Sequence, residues 1–206
     1  MRKAGRVMVK RAILAVVVAS MLVVPAFADM KVRIHNGVGT TSGGEFRAEV
    51  LDSPIGIYDA GYFISTFCLE LAETVSIGGE YWVTLSDRAV EGGVGPAGDP
   101  LDDQSKRIYN YWLDSPLLTR DAADADDVQN ALWYQEGEGG ASNYLNSIAG
   151  SADDVMVMNL WTEAAGEGFA QDMLVRVAPV PVPGAVLLGV LGLGVASARL
   201  RGRSSK

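Results

Sequence analysis

Gly61-Tyr62-Phe63-Ile64-Ser65-Thr66-Phe67-Cys68-Leu69 is the stretch that decides the fold. It is rich in aromatic and β-branched residues, carries no charge and is apolar on both faces. That pattern reads as a strand with neighbours on each side. Upstream, Glu45-Phe46-Arg47-Ala48-Glu49-Val50-Leu51 alternates, with Phe46, Ala48 and Val50 inward and the charges outward. Lys31 to His35 alternates in the same way over a shorter length. Downstream, Gly78-Gly79 turns the chain into a further strand, Tyr81 to Leu85, and residues 92–100 form a Gly/Pro loop.

The period then changes. Asp103 to Leu113 and Asp126 to Glu136 read as helices, with Asp124 or Asp126 as the cap of the second and carboxylates favouring its first turn. Ser142 to Ala149 reads as a third, short helix. Strand character returns at Val155 to Trp161 and at Phe169 to Val177, where Met173, Val175 and Val177 alternate with Asp172, Leu174 and Arg176. No internal repeat is present. The expectation is an α+β domain: an antiparallel β-sandwich or barrel-like sheet with a helical insert at about residues 103–149.

Charge divides the 206 residues into three parts. Arg2, Lys3, Arg6, Lys10 and Arg11 crowd the start; Arg199, Arg201, Arg203 and Lys206 crowd the end. Between residues 29 and 178 eight basic residues face all 25 acidic ones, a net charge of −17. Such a domain lacks the basic face a nucleic-acid partner requires. A single Cys excludes an internal disulfide framework and a Cys-rich zinc site, and a single His, His35, leaves one imidazole for base or metal duty. His35 itself reads as an exposed strand-end residue.

The two ends read as addresses. In residues 1–28 a basic start leads into the apolar run Ala12 to Val24, and Pro25-Ala26-Phe27-Ala28 offers the small-x-small site of signal peptidase. This is a signal peptide; an uncleaved anchor is the alternative. At the other end, residues 179–206, Val180-Pro181-Val182-Pro183-Gly184-Ala185 precedes an apolar run, then the arginines. The uncharged segment 184–198 makes a helix of about 22 Å, a short transmembrane span that a snorkelling Arg199 and the apolar lead-in extend. The basic tail stays cytoplasmic and places residues 29–178 outside, the orientation the signal peptide also demands.

A Pro motif, a Gly/Leu-rich span and an Arg-rich terminus, in this order, resemble the PEP-CTERM sorting signal of Gram-negative bacteria. Pro181-Val182-Pro183 stands where that signal usually has Pro-Glu-Pro. The resemblance implies a membrane processing enzyme, an exosortase, acting on Pro181, Pro183, Gly184, Ala185, Arg199, Arg201 and Arg203. It also implies a chain anchored by its C-terminal helix until sorted, then held at the cell surface or released. A permanent anchor is the alternative.

The lone Cys68 has three accounts: a small buried hydrophobe, a link between chains, or a chemically capped thiol. Phe67-Cys68-Leu69-Glu70, followed some 60 residues on by Val128-Gln129-Asn130-Ala131-Leu132-Trp133, resembles the thioester domains of bacterial surface adhesins. The resemblance implies a thioester between the Cys68 thiol and the Gln129 acyl group, with Phe67 and Trp133 excluding water. Val128 stands where a Thr often precedes the Gln. Trp133, four positions after Gln129, shares its helix face. An amine-bearing surface would attack the thioester and become attached to Gln129.

Other constellations are weaker. Asp121, Asp124, Asp126 and Asp127, and Asp99, Asp102 and Asp103, lack the spacing of a Ca²⁺ loop and read as caps or solvated loops. Tyr81, Trp82, Tyr109, Tyr111, Trp112, Tyr134 and Tyr144 suggest a sugar-stacking surface but are more often core. No P-loop, dinucleotide or Gly-x-Ser-x-Gly motif is present. The expected function is a non-enzymatic surface or extracellular-matrix protein in adhesion or a biofilm polymer layer, without metal or cofactor. Its partners would be signal peptidase, an exosortase-like enzyme, and extracellular polysaccharide or amine-bearing targets. The other readings are a secreted carbohydrate-binding module and a carbohydrate-active enzyme.

Overall fold

Strand β1 (Lys31–Asn36) forms where the alternation predicts it and pairs antiparallel with β2 (Phe46–Val50), setting Val32 opposite Val50 and Ile34 opposite Ala48. β3 (Phe63–Thr66) joins the far side of β2 with Ile64 opposite Ala48. β4 (Glu80–Ser86) joins the far side of β1. A two-stranded ribbon of β5 (Arg88–Ala89) and β6 (Asp99–Pro100) follows, then helix α1 (Asp103–Asp114), helix α2 (Ala122–Glu136) and a 3-10 turn (Tyr144–Ser147). The chain closes with β7 (Val155–Glu163) and β8 (Glu167–Arg176), and the main sheet has six strands in the order β3-β2-β1-β4-β7-β8, every pair antiparallel.

These elements belong to a computed structural model that describes residues 29–39, 44–90, 98–164 and 166–177. The expected signal peptide (1–28), Pro motif, span 184–198 and basic tail lie outside the described residues. No described helix is long and apolar enough to cross a membrane. The fold is α+β, mostly sheet with two helices.

The sheet joins its own edges. Beyond β3 the chain turns onto β8: the Leu174 N–H donates to the Phe67 carbonyl at 3.2 Å and the Leu69 N–H to the Asp172 carbonyl at 2.9 Å, with Cys68 opposite Met173. The Thr66 hydroxyl adds a bond to the Leu174 carbonyl at 2.6 Å. One curled sheet therefore replaces two facing ones, and these bonds engage main-chain groups that an open edge would expose.

Two cores result. Val32, Ile34, Ala48, Val50, Ile64, Met158, Leu160, Met173 and Val175 pack inside the curl. Phe67, Leu69, Val155, Val157 and Leu174 point outward from the sheet and pack with Ile108, Trp112, Val128 and Leu132 of the helices. Period-2 alternation sorts neighbouring residues between the two: Met173 and Val175 to one, Leu174 to the other. On α1 the buried Ser105, Ile108, Tyr109 and Trp112 recur at helical spacing.

The structure departs from the expectations at several places, beginning with Asp99–Pro100, expected in a loop but paired with β5 as β6. α2 begins at Ala122, and Asp121, not Asp124 or Asp126, caps it by accepting from the Ala123 and Asp124 N–H groups at 2.9 and 3.0 Å. Ala122, Ala123 and Ala125 are strong helix formers, so the helix extends back to the first good cap. The regular part of β3 is only Phe63–Thr66; Tyr62 and Phe63 are 63% and 42% exposed, because β3 meets β8 only beyond Thr66. The third helix is a single 3-10 turn, started by a capping box between Asn143 and Asn146. Asp172 is buried despite its charge, since Asn159 Nδ2 and the Val90 N–H each donate to its carboxylate at 2.5 Å.

Candidate functional site: Cys68 and Gln129

Cys68 sits where the β3 segment crosses onto β8. Main-chain groups of Phe67 and Leu69 face β8 and bond to it, so those of Cys68 face the other way. Among the described residues no strand lies there; α2 does. Gln129 reaches in from the middle of that helix: its Nε2 donates to the Cys68 carbonyl at 2.8 Å, and its Oε1 accepts from the Cys68 N–H at 3.2 Å. The amide thus does for Cys68 what a neighbouring strand would do. Gln129 is 0% exposed and Cys68 5%.

The thiol itself turns into the inner core with Trp133. Burial, and then the charge of Glu73, push its pKa up to about 12. Cys68 is therefore a protonated thiol at physiological pH, and any attack by its sulfur requires proton removal as the bond forms. The Cys68 N–H already points at the Gln129 carbonyl oxygen, where negative charge would gather if the acyl carbon were attacked.

A cavity of about 90 Å³ opens beside the sulfur, lined by Cys68, Glu70, Leu71, Glu73, Trp133 and Gln171 among others. Gln129 is not among its walls. Among its lining residues, Trp133 and Gln171 each have a buried atom, Nε1 and Oε1, without a hydrogen-bond partner among the described residues. Burial pushes the pKa of Glu70 up to about 9, with the charge of Glu138, a hydrogen bond to it, and the charges of Glu73 and Asp172 adding to the effect. Glu70, two residues from Cys68, therefore holds its proton more tightly than an ordinary glutamate. Glu138 also accepts from the Leu71 N–H at 3.5 Å, so the turn after α2 is tied to the segment after Cys68.

Of the residues the sequence singled out, Cys68, Gln129 and Trp133 come together. Phe67 is fully buried but belongs to the helix-side core, where its ring meets Trp112 edge-on at 5.3 Å. Adjacent strand residues point to opposite faces, so Phe67 and the Cys68 thiol are on different sides of the sheet. The surroundings that sequence reasoning missed are Glu70, Gln171 and Glu138. Glu70 had a local signal, a carboxylate ending an apolar strand; the other two arrive from distant elements.

The weaker constellations resolve into local structure. Asp102 and Asp121 cap α1 and α2, and Asp124 accepts from Thr119 Oγ1 and the Arg120 N–H, each at 2.9 Å. Among the described residues no group of three His, Cys, Asp or Glu is arranged to hold a metal. Tyr81, Tyr109 and Trp112 are core, while Tyr134 on α2 and Tyr144 on the 3-10 turn are exposed. His35 Nε2 lies 2.9 Å from Glu49 Oε2, and its ring meets Phe63 edge-on. Pro181, Pro183, Gly184, Ala185, Arg199, Arg201 and Arg203, expected as a sorting signal, lie outside the described residues.

Compared with known proteins, the chain matches no family model, no curated protein and no solved structure.

Proposed function

We propose that the chain is an exported surface or extracellular-matrix protein whose Cys68 and Gln129 form an internal thioester used for covalent attachment. The signal-peptide-like start, the sorting-signal-like end and the acidic middle support export and processing by an exosortase-like enzyme. The observation that carries the chemistry is the reciprocal pair of buried hydrogen bonds between the Gln129 amide and the Cys68 main chain. It holds an acyl group beside the only thiol, away from solvent, where proximity replaces a slow collision. In the reaction the Cys68 Sγ–Gln129 Cδ bond forms and the Cδ–Nε2 bond breaks. The thiol proton leaves with the nitrogen as ammonia. An amine on a target surface reverses the sense: it forms an amide with Gln129 and releases the Cys68 thiol.

The test is the intact mass of the purified full-length chain. A deficit of one ammonia, absent in Cys68→Ala and in Gln129→Ala, is the expected result. Full mass, with a thiol that titrates after denaturation, overturns the thioester.

A further inference from the structure

A second pocket, of about 440 Å³, opens at the end of the sheet where β1, β2 and β3 meet the residues joining α1 to α2. Asn36, Glu45, Arg47, Phe63 and Arg120 line it, with the buried Trp112 behind. Neither the Cys68 chemistry nor the fold accounts for its two arginines.

In so acidic a domain a cation has carboxylates to choose from. Arg33 pairs with both Glu49 and Glu80, and Arg88, Lys106 and Arg176 each take a carboxylate, while Lys31 and Arg107 form no ion pair among the described residues. Arg47 and Arg120 form no ion pair among the described residues, yet both face this pocket. The Arg47 guanidinium lies over the Phe63 ring, 4.7 Å from its centroid, which orients the group without neutralising it. Arg120 holds a left-handed backbone, φ 57°, a costly conformation for a residue with a long side chain. Asp124 secures it by accepting the Arg120 N–H at 2.9 Å. One arm of its guanidinium, Nη2, donates to the Leu113 carbonyl at 2.6 Å. The other donors have no protein partner among the described residues.

Glu45 belongs to the same pocket but is already engaged. Ser65 Oγ donates to its Oε1 at 2.5 Å and the Val38 N–H to its Oε2 at 3.2 Å, while Trp112 Nε1 donates to Ser65 Oγ at 2.8 Å. The carboxylate is thereby fixed, with acceptor capacity left for a ligand hydroxyl.

Two guanidinium forks, a fixed carboxylate, the Asn36 amide and a partly exposed phenyl ring form a mixed set. An acidic peptide would use the arginines but would meet Glu45 as a repulsion. A sugar that carries a carboxylate uses all of them: its carboxylate on the forks, its hydroxyls on Glu45 and Asn36, its apolar face against Phe63. We propose that this pocket binds a uronate unit of an acidic polysaccharide. The site is independent of the Cys68–Gln129 reading and stands or falls apart from it.

The experiment is calorimetric titration of the full-length chain with oligogalacturonate, with a neutral dextran oligosaccharide and oligoglutamate of similar length as the other arms. Saturable binding of oligogalacturonate is expected, with dextran and oligoglutamate weaker by about ten-fold or more. Arg47→Gln and Arg120→Gln should each weaken it by about ten-fold, and Arg47→Lys by less, since the charge stays and the fork is lost. Arg88→Gln, which changes the net charge equally away from the pocket, should leave it unchanged. Circular dichroism establishes that the variants are folded. Absence of saturable oligogalacturonate binding overturns the proposal. So does binding that survives both arginine substitutions, and so does equal affinity for oligoglutamate, which would make the surface one for acidic peptides.

Discussion

The side-chain amide of Gln129 closes a two-bond ring on the main chain of Cys68, 61 residues away in sequence. The ring lies in the dry seam between the sheet and α2, so neither partner has water to fall back on. It satisfies the main chain of Cys68, which lies beyond β3 and on one side faces α2. The same contact that completes the fold brings the side chain of Gln129 to the residue that carries the thiol.

Gln129→Ala should therefore destabilise more than an ordinary loss of volume. It removes buried atoms and leaves the Cys68 N–H and C=O without partners, a combined cost of about 3–5 kcal/mol. Urea unfolding measures it. Gln129→Glu keeps the acceptor but loses the donor and brings a charge into the seam, so its cost should shrink as the pH is lowered and the new carboxyl is protonated.

Phe67 and Trp133 should separate by face. Phe67→Ala empties space in the helix-side core and should cost about 3–5 kcal/mol, with little effect on the lifetime of a thioester that lies on the other side of the sheet. Trp133 lines the cavity at the sulfur, so Trp133→Ala should admit water and shorten that lifetime. Time-resolved intact mass in buffer, following regain of water, reads the difference. Equal hydrolysis rates in the two variants would show that the two rings shield the thioester alike.

Two carboxyls should make the protein less stable as the pH rises. Burial pushes Glu136 up to about 7, and burial with neighbouring carboxylates pushes Glu70 up to about 9. Both therefore bind protons more tightly folded than unfolded, so their effect is nil at pH values below the ordinary glutamate range. The penalty grows as the pH rises through that range and levels off above the folded values. From these groups the unfolding midpoint should fall from pH 5 to pH 9. Glu136→Gln should raise it at pH 8 and leave it unchanged at pH 4. Thermal melts across this range check the sign.

Gly140 and Gly61 should differ although both have positive φ. At Gly140, φ 48°, an added Cβ would lie 2.3 Å from the Asn130 carbonyl oxygen and 2.7 Å from the Tyr134 nitrogen, both in α2. At Gly61, φ 86°, it would meet nothing within 4 Å. Gly61→Ala should cost about 1 kcal/mol, the backbone strain alone. Gly140→Ala should cost on the order of 3 kcal/mol, because helix backbone cannot give way. Chemical denaturation of the two variants provides the comparison.

Short-range rules made much of this legible. Alternation in Glu45 to Leu51 determined that Ala48 and Val50 point inward, because a strand's faces follow from its own pleat. The change of period after Pro100 determined the helical insert, and α1 falls within one residue of its predicted span. At α2 local signals competed, since four aspartates offered caps and the alanines between them decided which one served.

The sequence by itself determined most of the element types and the α+β class, and through a resemblance it singled out Cys68 and Gln129. Tertiary structure alone decided that the sheet closes on itself through Phe67 and Leu69, that Gln129 meets the Cys68 main chain, and that Phe67 faces away from the thiol. It also placed Glu138 against Glu70 and gathered Arg47 and Arg120 at one pocket. The physical reason is the range of the forces that choose. Period, caps and turns are set within a few residues. Strand order, the partner of a buried amide and the proton affinity of a carboxyl depend on which distant groups the packed chain brings within a few ångströms.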